Sequence, residues 1–597
     1  MRRLLSLLAA AAFAAAVAPA QTCSCGANPP GPPAARTLEP YANTPEDLRP
    51  FNRFTPPYHQ FYTQTPEYNG AADDVATISA ADVSDVAIGF LGPIYQHKDQ
   101  ALGIAMQRGA EMAIHEANAR GGYCGKPFSL KIHNDAATWG ASSNEIVRMV
   151  YDEKVWAMLG SISGDSTHIA LRVSLRSELP IVNSAATDPT IPETIVPWIL
   201  TSIQDDRVQC YTLARRIYTD LGLKRIAILR ANERYGRFGV LKFRDASRRL
   251  GHPVVIEQKF DPMDRTFTRE LQVINDSRAD GILLWADSAA AGTILKEMRQ
   301  MGMKQPVFGS FRVVGDDLLR IAGESAEGLQ VVYPFDPDRD DAVWADFQKR
   351  FRTAYHTGVD AFSALGFDTM NILLGAICRG GLNRGRIRDA LYSVERYKGV
   401  TGEMIFDPNA KNIAPMYLGT VKNGKFTWRR YSMDKPYATV GENGVGYAGP
   451  ALADAVGTPL RIGIFGPGAD RAELVNPPGY QLVAINSDVP WGKASTELVK
   501  LAYDPALIGI VAVGREPAHL AEQIAVKTFV PVVAISSDRT LTSANIPWIF
   551  RLDPEVPLAD AVSCLTVAAT RAGPNRARIR DLLSSGKFAF TPTGEPK

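Results

Sequence analysis

Short apolar runs and longer amphipathic stretches alternate along most of this chain. Trp156 to Leu159 is apolar and ends in a loop of small residues, Gly160-Ser161-Ile162-Ser163-Gly164. An amphipathic stretch follows, and a second apolar run, Pro180 to Val182, ends in Ser184-Ala185-Ala186-Thr187. The pattern predicts strand, polar loop, helix, strand, polar loop, the βαβ unit of a parallel sheet. Both loops fall at the carboxyl ends of strands, where open α/β sheets bind ligands. Their hydroxyls and free backbone N–H groups suit a small polar ligand, especially a carboxylate.

The alternation begins at Val86 to Leu91, a buried first strand, followed by a helix from Ala101 to Ala119 that ends at Gly121-Gly122. Leu130 to His133 is the next strand and Asn144 to Asp152 a helix. Further strands are expected at Arg225 to Leu229, Gly281 to Trp285, Val307 to Gly309 and Gly328 to Tyr333, and further helices at Ala342 to Thr357 and Ala361 to Arg379. A hairpin-like end closes the unit at Gly402 to Phe406, Met416 to Val421 and Phe426 to Tyr431. Two α/β sheets in series fit two lobes better than one sheet.

The segments outside this alternation read differently. Arg2 and Arg3, the apolar stretch Leu4 to Val17 and Ala18-Pro19-Ala20 form a signal peptide over 1–20, with cleavage expected after Ala20. The residues before Cys23 lack a lipobox, so a lipid anchor is not expected. Residues 21–84, rich in Pro, Thr, Tyr and Asn, read as an extended arm, and 432–458, rich in Gly, Pro and Ala, as a linker. Export permits disulfides, but Cys124, Cys210, Cys378 and Cys564 are scattered and each is expected as a buried free thiol.

Several further residues match one family in order and spacing. They are the first strand, Ala105 to Gly122 (AMQRGAEMAIHEANARGG), the loop and helix after Gly160, Ser184 to Pro189 (SAATDP), Arg234 to Gly239 (RYGRFG) and Ala326 to Phe335 (AEGLQVVYPF). Residues 85–431 thereby resemble the type I periplasmic solute-binding proteins of ABC importers, of the leucine/isoleucine/valine- and amide-binding class. The resemblance implies a two-lobed α/β fold of parallel sheets flanked by helices. Lobe 1 would hold 85–205 and 336–398, and lobe 2 would hold 206–335 and 401–431. A ligand would sit in the cleft, closed by hinge bending.

The tail repeats part of this unit. Leu460 to Phe465 echoes Val86 to Leu91, Val499 to Asp504 echoes Val147 to Asp152, and Pro531-Val532-Val533 echoes Pro180-Ile181-Val182. Ile546 to Ile549 echoes Val196 to Ile199, and Gly573 to Leu583 (GPNRARIRDLL) matches Gly381 to Leu391 (GLNRGRIRDAL) without a gap. Nothing in the tail corresponds to 206 to about 360. Residues 459–597 are therefore expected as a third, Rossmann-like α/β domain, a lobe-1 repeat lacking lobe 2. It would pack on the chain's own lobe 1 as a pseudo-dimer, since relatives commonly pair through lobe 1.

The resemblance places ligand contacts at Ser163 or Gly164, at the Ala185 backbone, and at the Thr187 hydroxyl and N–H. In lobe 2 it places Tyr235 in the cleft. Many amino-acid binders carry an acid on the loop after the Val307 strand, yet here that loop reads Gly309-Ser310-Phe311-Arg312. Asp287 could hold a ligand ammonium instead, or Arg312 could pair a second carboxylate with its planar fork. In the tail the corresponding loops become Gly514-Arg515-Glu516 and Ile535-Ser536-Ser537-Asp538, and an Asp there would repel a carboxylate.

Composition narrows the function. The 597 residues carry a formal net charge of +2, which gives no field for nucleic acid or an anionic membrane. The eight His residues show no metal-ligand spacing, and no cofactor is expected. Gly160 to Gly164 has Ile162 where a nucleophile elbow needs Ser, and the glycine string Gly444 to Gly449 lies in the linker. The expectation is a periplasmic, non-enzymatic protein. It would capture a small polar solute, carboxylate-bearing (amino acid, amide or organic acid), and deliver it to an ABC importer permease. The alternative is a ligand-sensing or scaffolding protein that docks through its tail.

Overall fold

A computed structural model describes Cys23 and residues 76–584, apart from 136–138, 195, 250–251, 408, 432–451, 472, 539–540 and 542–547. The expected signal peptide, the glycine string and most of the arm and linker lie outside the described residues.

The first sheet contains β1 (Val86–Gly92), β2 (Phe128–Asn134), β3 (Ala157–Gly160), β4 (Ile181–Asn183) and β5 (Ile199–Thr201), in the order β2-β1-β3-β4-β5 and parallel throughout. Three helices of this unit matter below: α1 (Gln100–Ala119), α2 (Trp139–Tyr151) and α3 (Gly164–Ser177). Every residue of β1 is buried, as a parallel sheet covered on both faces requires. Alternate residues serve different cores: Val86, Ile88 and Phe90 join one cluster, Ala87 and Leu91 another.

The chain then passes through α4 (Asp206–Ala214) into the second sheet. Its parallel strands are β6 (Ile226–Ala231), β7 (Ile256–Phe260), β8 (Gly281–Trp285), β9 (Val307–Gly309) and β10 (Gln330–Tyr333). Helix α5 (Arg234–Arg249) follows β6, and α6 (Ser288–Gln300) follows β8. The chain returns to the first unit as α7 (Ala361–Gly380) and α8 (Arg384–Tyr392). Helix α7 is apolar on all sides and long enough to cross a membrane by composition; here 89% of its most apolar window is buried as a core helix. It lies close against α1, because a Cβ on Gly109 would stand 2.1 Å from the Ser363 carbonyl oxygen.

The hairpin-like end divides. Strands β11 (Arg396–Gly399) and β12 (Gly402–Ile405) pair with each other. Strands β13 (Tyr417–Lys422) and β14 (Lys425–Arg430) extend the second sheet antiparallel from β10. Three crossovers lie side by side between the two sheets: Gln204 donates to the carbonyls of Pro334 and Ala414, and Thr201 N–H to that of Ala410.

The third sheet holds β15 (Leu460–Gly466), β16 (Tyr480–Asn486), β17 (Leu507–Val513), β18 (Val532–Ile535) and β19 (Ile549–Leu552). Its order, β16-β15-β17-β18-β19, is that of the first sheet, again all parallel. Its helices are α9 (Trp491–Ala502), α10 (Arg515–Thr528), α11 (Leu558–Ala572) and α12 (Arg576–Ser584). Only residues 553–557 separate β19 from α11. One buried cluster contains Ile146, Met149 and Val150 of α2 and Ile169 and Ala170 of α3 together with Leu498 of α9 and Ala521 and Ile524 of α10. Arg176 at the end of α3 pairs with Glu516 at the start of α10 at 3.1 Å.

The cysteines correct one expectation. Cys378 is bonded to Cys23, and Cys124 is also disulfide-bonded, leaving Cys210 and Cys564 as the buried free thiols. Cys23 lies 355 positions from Cys378, so nothing local in the sequence signals the pairing.

Candidate functional site

Strand β3 delivers the loop Ser161 to Ser163 to the amino end of α3, where Ser163 is the N-cap and its hydroxyl accepts from the Ser166 N–H. The loop is held from below by Asp135, just beyond β2. Its carboxylate accepts from the hydroxyls of Ser142 (2.9 Å), Ser166 (2.7 Å) and Ser161. Three hydroxyls on one buried carboxylate fix the loop without a covalent link. Asn183 does the same for the second loop, accepting from the N–H groups of Ala185 and Ala186 and donating to the Ala186 carbonyl.

A cavity of about 170 Å³ opens where these loops face the second sheet. Ser163, Gly164 and Thr187 line it from one side, Tyr235 and Arg312 from the other, and Asp206 from the crossover. Two sequence-derived candidates fall elsewhere. Ala185 is buried in the apolar core with its N–H given to Asn183. Asp287 does not line the cavity: its carboxylate caps α6, accepting from the Ala290 N–H at 3.3 Å. The Asp-Ser-Ala-Ala start of α6 carries that capping signal locally.

Ion pairs cross the cleft. Arg234, at the start of α5, meets Asp188 at 2.6 Å and Asp165 at 3.4 Å. Lys98 meets Glu233 at 2.9 Å. Arg312 pairs with Asp99 at 2.8 Å and lies 4.5 Å over the Tyr235 ring, so its charge is met by the protein as well as open to a ligand. Burial works against an ionised Asp99, yet Arg312 and Lys98 hold its pKa down to about 2. Asp188 is likewise buried and held below the usual carboxylate range by Arg234 and His168. The clasp explains a glycine: a Cβ on Gly164 would come 2.8 Å from the Asp188 carboxylate.

Asp206 behaves oppositely. Burial pushes its carboxyl well above the usual range, with the Thr187 hydroxyl only partly offsetting this. One oxygen accepts from Gln209 at 3.1 Å, and the other makes no hydrogen bond. Sequence reading missed Asp206, because Gln204-Asp205-Asp206-Arg207 looks like any polar helix start.

The tail carries a related arrangement. His519 of α10 lies 3.0 Å from Asp538, as His168 of α3 lies 3.7 Å from Asp188. There Arg515, at the first position of α10, pairs with Asp538 at 2.8 Å, where α3 begins with Gly164. Among the described residues no cluster of three or more His, Cys, Asp or Glu side chains fits a metal ion.

Comparison with known proteins follows the same outline. The model of the family described as periplasmic binding protein matches residues 85–425. The chain is 26% identical over 261 residues to the Leu/Ile/Val-binding proteins of Citrobacter freundii and Escherichia coli K12, covering 44% of this chain and 70% of each relative. In fold it is similar to the leucine-binding protein LivK of Thermotoga maritima (TM-score 0.53, 22% identity, 58% of this chain and 97% of that one). It is also similar to a solute-binding protein of Rhodopseudomonas palustris solved with benzoate (TM-score 0.52, 19% identity, 61% and 99%).

Proposed function

Because the chain belongs to the periplasmic binding protein family over residues 85–425, we propose that it captures a small carboxylate-bearing solute in the interlobe cleft for an ABC importer permease. The observation that carries this reading is the meeting of the α3 amino end, Ser163 and Gly164, with Thr187, Tyr235 and Arg312 around one cavity of about 170 Å³. An anion gains from the unpaired N–H groups and dipole at a helix amino end. That cavity is near the size of the roughly 150 Å³ engineered void that holds benzene, which limits the solute to a single small side chain or ring.

On this reading lobe 1 comprises 85–205 and 336–398, lobe 2 comprises 206–335 and 401–431, and the amino-terminal apolar stretch directs export with cleavage after Ala20. The tail is a copy of lobe 1 without lobe 2. Two observations support that copy: the shared strand order, and Asn575, which accepts from the Arg578 N–H as Asn383 does from that of Arg386. Arg515 pairs with Asp538 as Arg234 pairs with Asp188, so the tail meets internally a charge that the first unit meets from lobe 2, and it serves as a packing partner rather than a second binding site.

A thermal-shift panel of amino acids, amides, dicarboxylates and aromatic acids against residues 21–597 tests solute capture. A ligand at a hundredfold its Kd adds about 2.7 kcal/mol, a shift of several degrees. A hit abolished by Thr187→Val supports the cleft; silence from folded protein stripped of carried-over ligand counts against capture.

A further inference from the structure

We propose that a second cavity, on the first unit and away from the cleft, binds an amphipathic anion: a carboxylate or phosphate head on an apolar body. This goes beyond solute capture and does not depend on it. The cavity measures about 620 Å³, against about 170 Å³ in the cleft, and the two share no lining residue. It lies between α1, the helix Ala342–Tyr355, one face of α7 and β11. Those helices pack on the Val86, Ile88 and Phe90 side of the first sheet, whereas the tail packs on the other side, through α2 and α3. Its volume falls within the roughly 300–1,000 Å³ of small-molecule sites.

The polar positions of α7 single out this face. Apart from Ser363 in the cap and Thr369, which meets Ser202, the polar residues of that helix are Asp368, Asn371 and Arg379. With Ile372 and Gly375 they recur at spacings of three and four, one stripe of a helix, and all five line the cavity. Asp368 is committed to the wall. It accepts from the N–H groups of Val400 and Thr401, each at 2.8 Å, and from the Thr401 hydroxyl at 2.6 Å, which ties the turn after β11 against α7. A Cβ on Gly399 would stand 2.2 Å from that carboxylate, so the close approach of β11 requires glycine there.

The lining sets the chemistry of the ligand. The floor is apolar and buried, made by Phe367, Ile372 and Val400, with Val343 and Val394 beside it. The rim is basic: Arg120, Arg396 and Lys398 are exposed, and Arg350 and Arg379 stand half-buried behind them. These cations face only Glu116, Glu395 and the committed Asp368 in the lining. Glu116 alone serves both Arg120 and Arg350. Lys398 makes no ion pair, and the Tyr397 hydroxyl no hydrogen bond, with any described residue. Burial lowers the pKa of Arg120, Arg350 and Arg379, a cost that a bound anion would offset. A cationic rim over an apolar floor fits a molecule whose charged end stays near water while its body is buried, and guanidinium forks suit both carboxylate and phosphate.

The probes are octanoate and octyl phosphate, with 1-octanol and octyltrimethylammonium as their neutral and cationic counterparts. Each is titrated below its micellar concentration into the mature full chain by calorimetry. The expected result is one saturable site for at least one anion, held at least about tenfold tighter than either counterpart. The better anion identifies the head group. Lys398→Glu on the rim and Asn371→Trp, which fills the cavity, should each weaken that binding about tenfold or more. Both should leave any response to a cleft solute unchanged. Equal binding of the neutral or cationic counterpart by the unaltered protein overturns the proposal, with no variant needed. Uptake of many molecules per chain, or binding of neither anion, overturns it as well. Retention of the anion's affinity in either folded variant also overturns it, by placing the ligand elsewhere.

Discussion

Arg234 and Asp188 meet at 2.6 Å across the cleft, one from the amino end of α5 and the other from the loop after β4. Arg234 also stacks 4.0 Å over the Phe238 ring and reaches Thr190. Asp188 is buried in this closed arrangement, so removing its cation penalises closure far more than the open state, where water replaces it. Breaking one side of a buried pair costs about 3–5 kcal/mol. Arg234→Ala should therefore weaken ligand binding by at least about a hundredfold and enlarge the radius of gyration in solution scattering with ligand present. An unchanged affinity would assign closure to other contacts.

Cys23 and Cys378 join the start of the arm to α7 with Cα atoms 4.8 Å apart. The re-entering chain is fastened nearby, where the Ile78 N–H donates to the Leu382 carbonyl. Cross-links closing long loops stabilise mainly by restricting the unfolded chain, typically by about 2–4 kcal/mol. Cys378→Ser should lower Tm by several degrees under non-reducing conditions. Cys23→Ser should do the same, and the double variant should be no worse than either. Additive losses would show that each cysteine acts through packing alone.

His519 lies between Glu522 and Asp538 in the tail. Burial works against its charge, but the hydrogen bonds and charges of Glu522 and then Asp538 outweigh burial and raise its pKa. A raised folded-state pKa means stabilisation that is complete below the unfolded value of about 6.5. It is lost as pH climbs through the folded value. Hydrogen exchange of α10 amides should accordingly quicken as pH rises from 6 to 9, beyond the intrinsic base catalysis. His519→Gln should flatten that excess. An excess that survives the substitution would place the titrating group elsewhere.

Legibility in the sequence followed the range of the interactions. The β1 run Val86 to Leu91 is local and stands where the pattern places it, and Ser163, expected as a ligand contact, is also the local cap of α3. The family resemblance extended that reading to Thr187 and Tyr235, which line the cavity. Arg312 was visible as a charge on a cleft loop, but its partner Asp99 comes from the other side of the cleft. Asp206 was hidden for the same reason: its burial arises where residues near 204, 334 and 414 cross, a meeting that no local period encodes. The Asp287 cap, by contrast, is carried by the local Asp-Ser-Ala-Ala sequence at the start of α6.

Arg576 donates to the carbonyls of Ala502 and Leu507 just as Arg384 donates to those of Val150 and Val155, so the tail reproduces the anchoring of α8 beneath the first sheet. The helices that cover the two sheets, α2 with α3 and α9 with α10, share one apolar cluster. The Arg176–Glu516 pair beside it is exposed on both sides and adds little, so apolar burial holds the contact. Because α9 and α10 stand where α2 and α3 stand in the first unit, a second copy of lobe 1 could cover the same face. A chain ending at residue 431 should therefore form dimers or larger species in size exclusion with light scattering, with a lowered Tm, whereas the full chain should remain monomeric. A truncated chain that is monomeric and equally stable would mean that the tail is tethered to lobe 1 without supporting it.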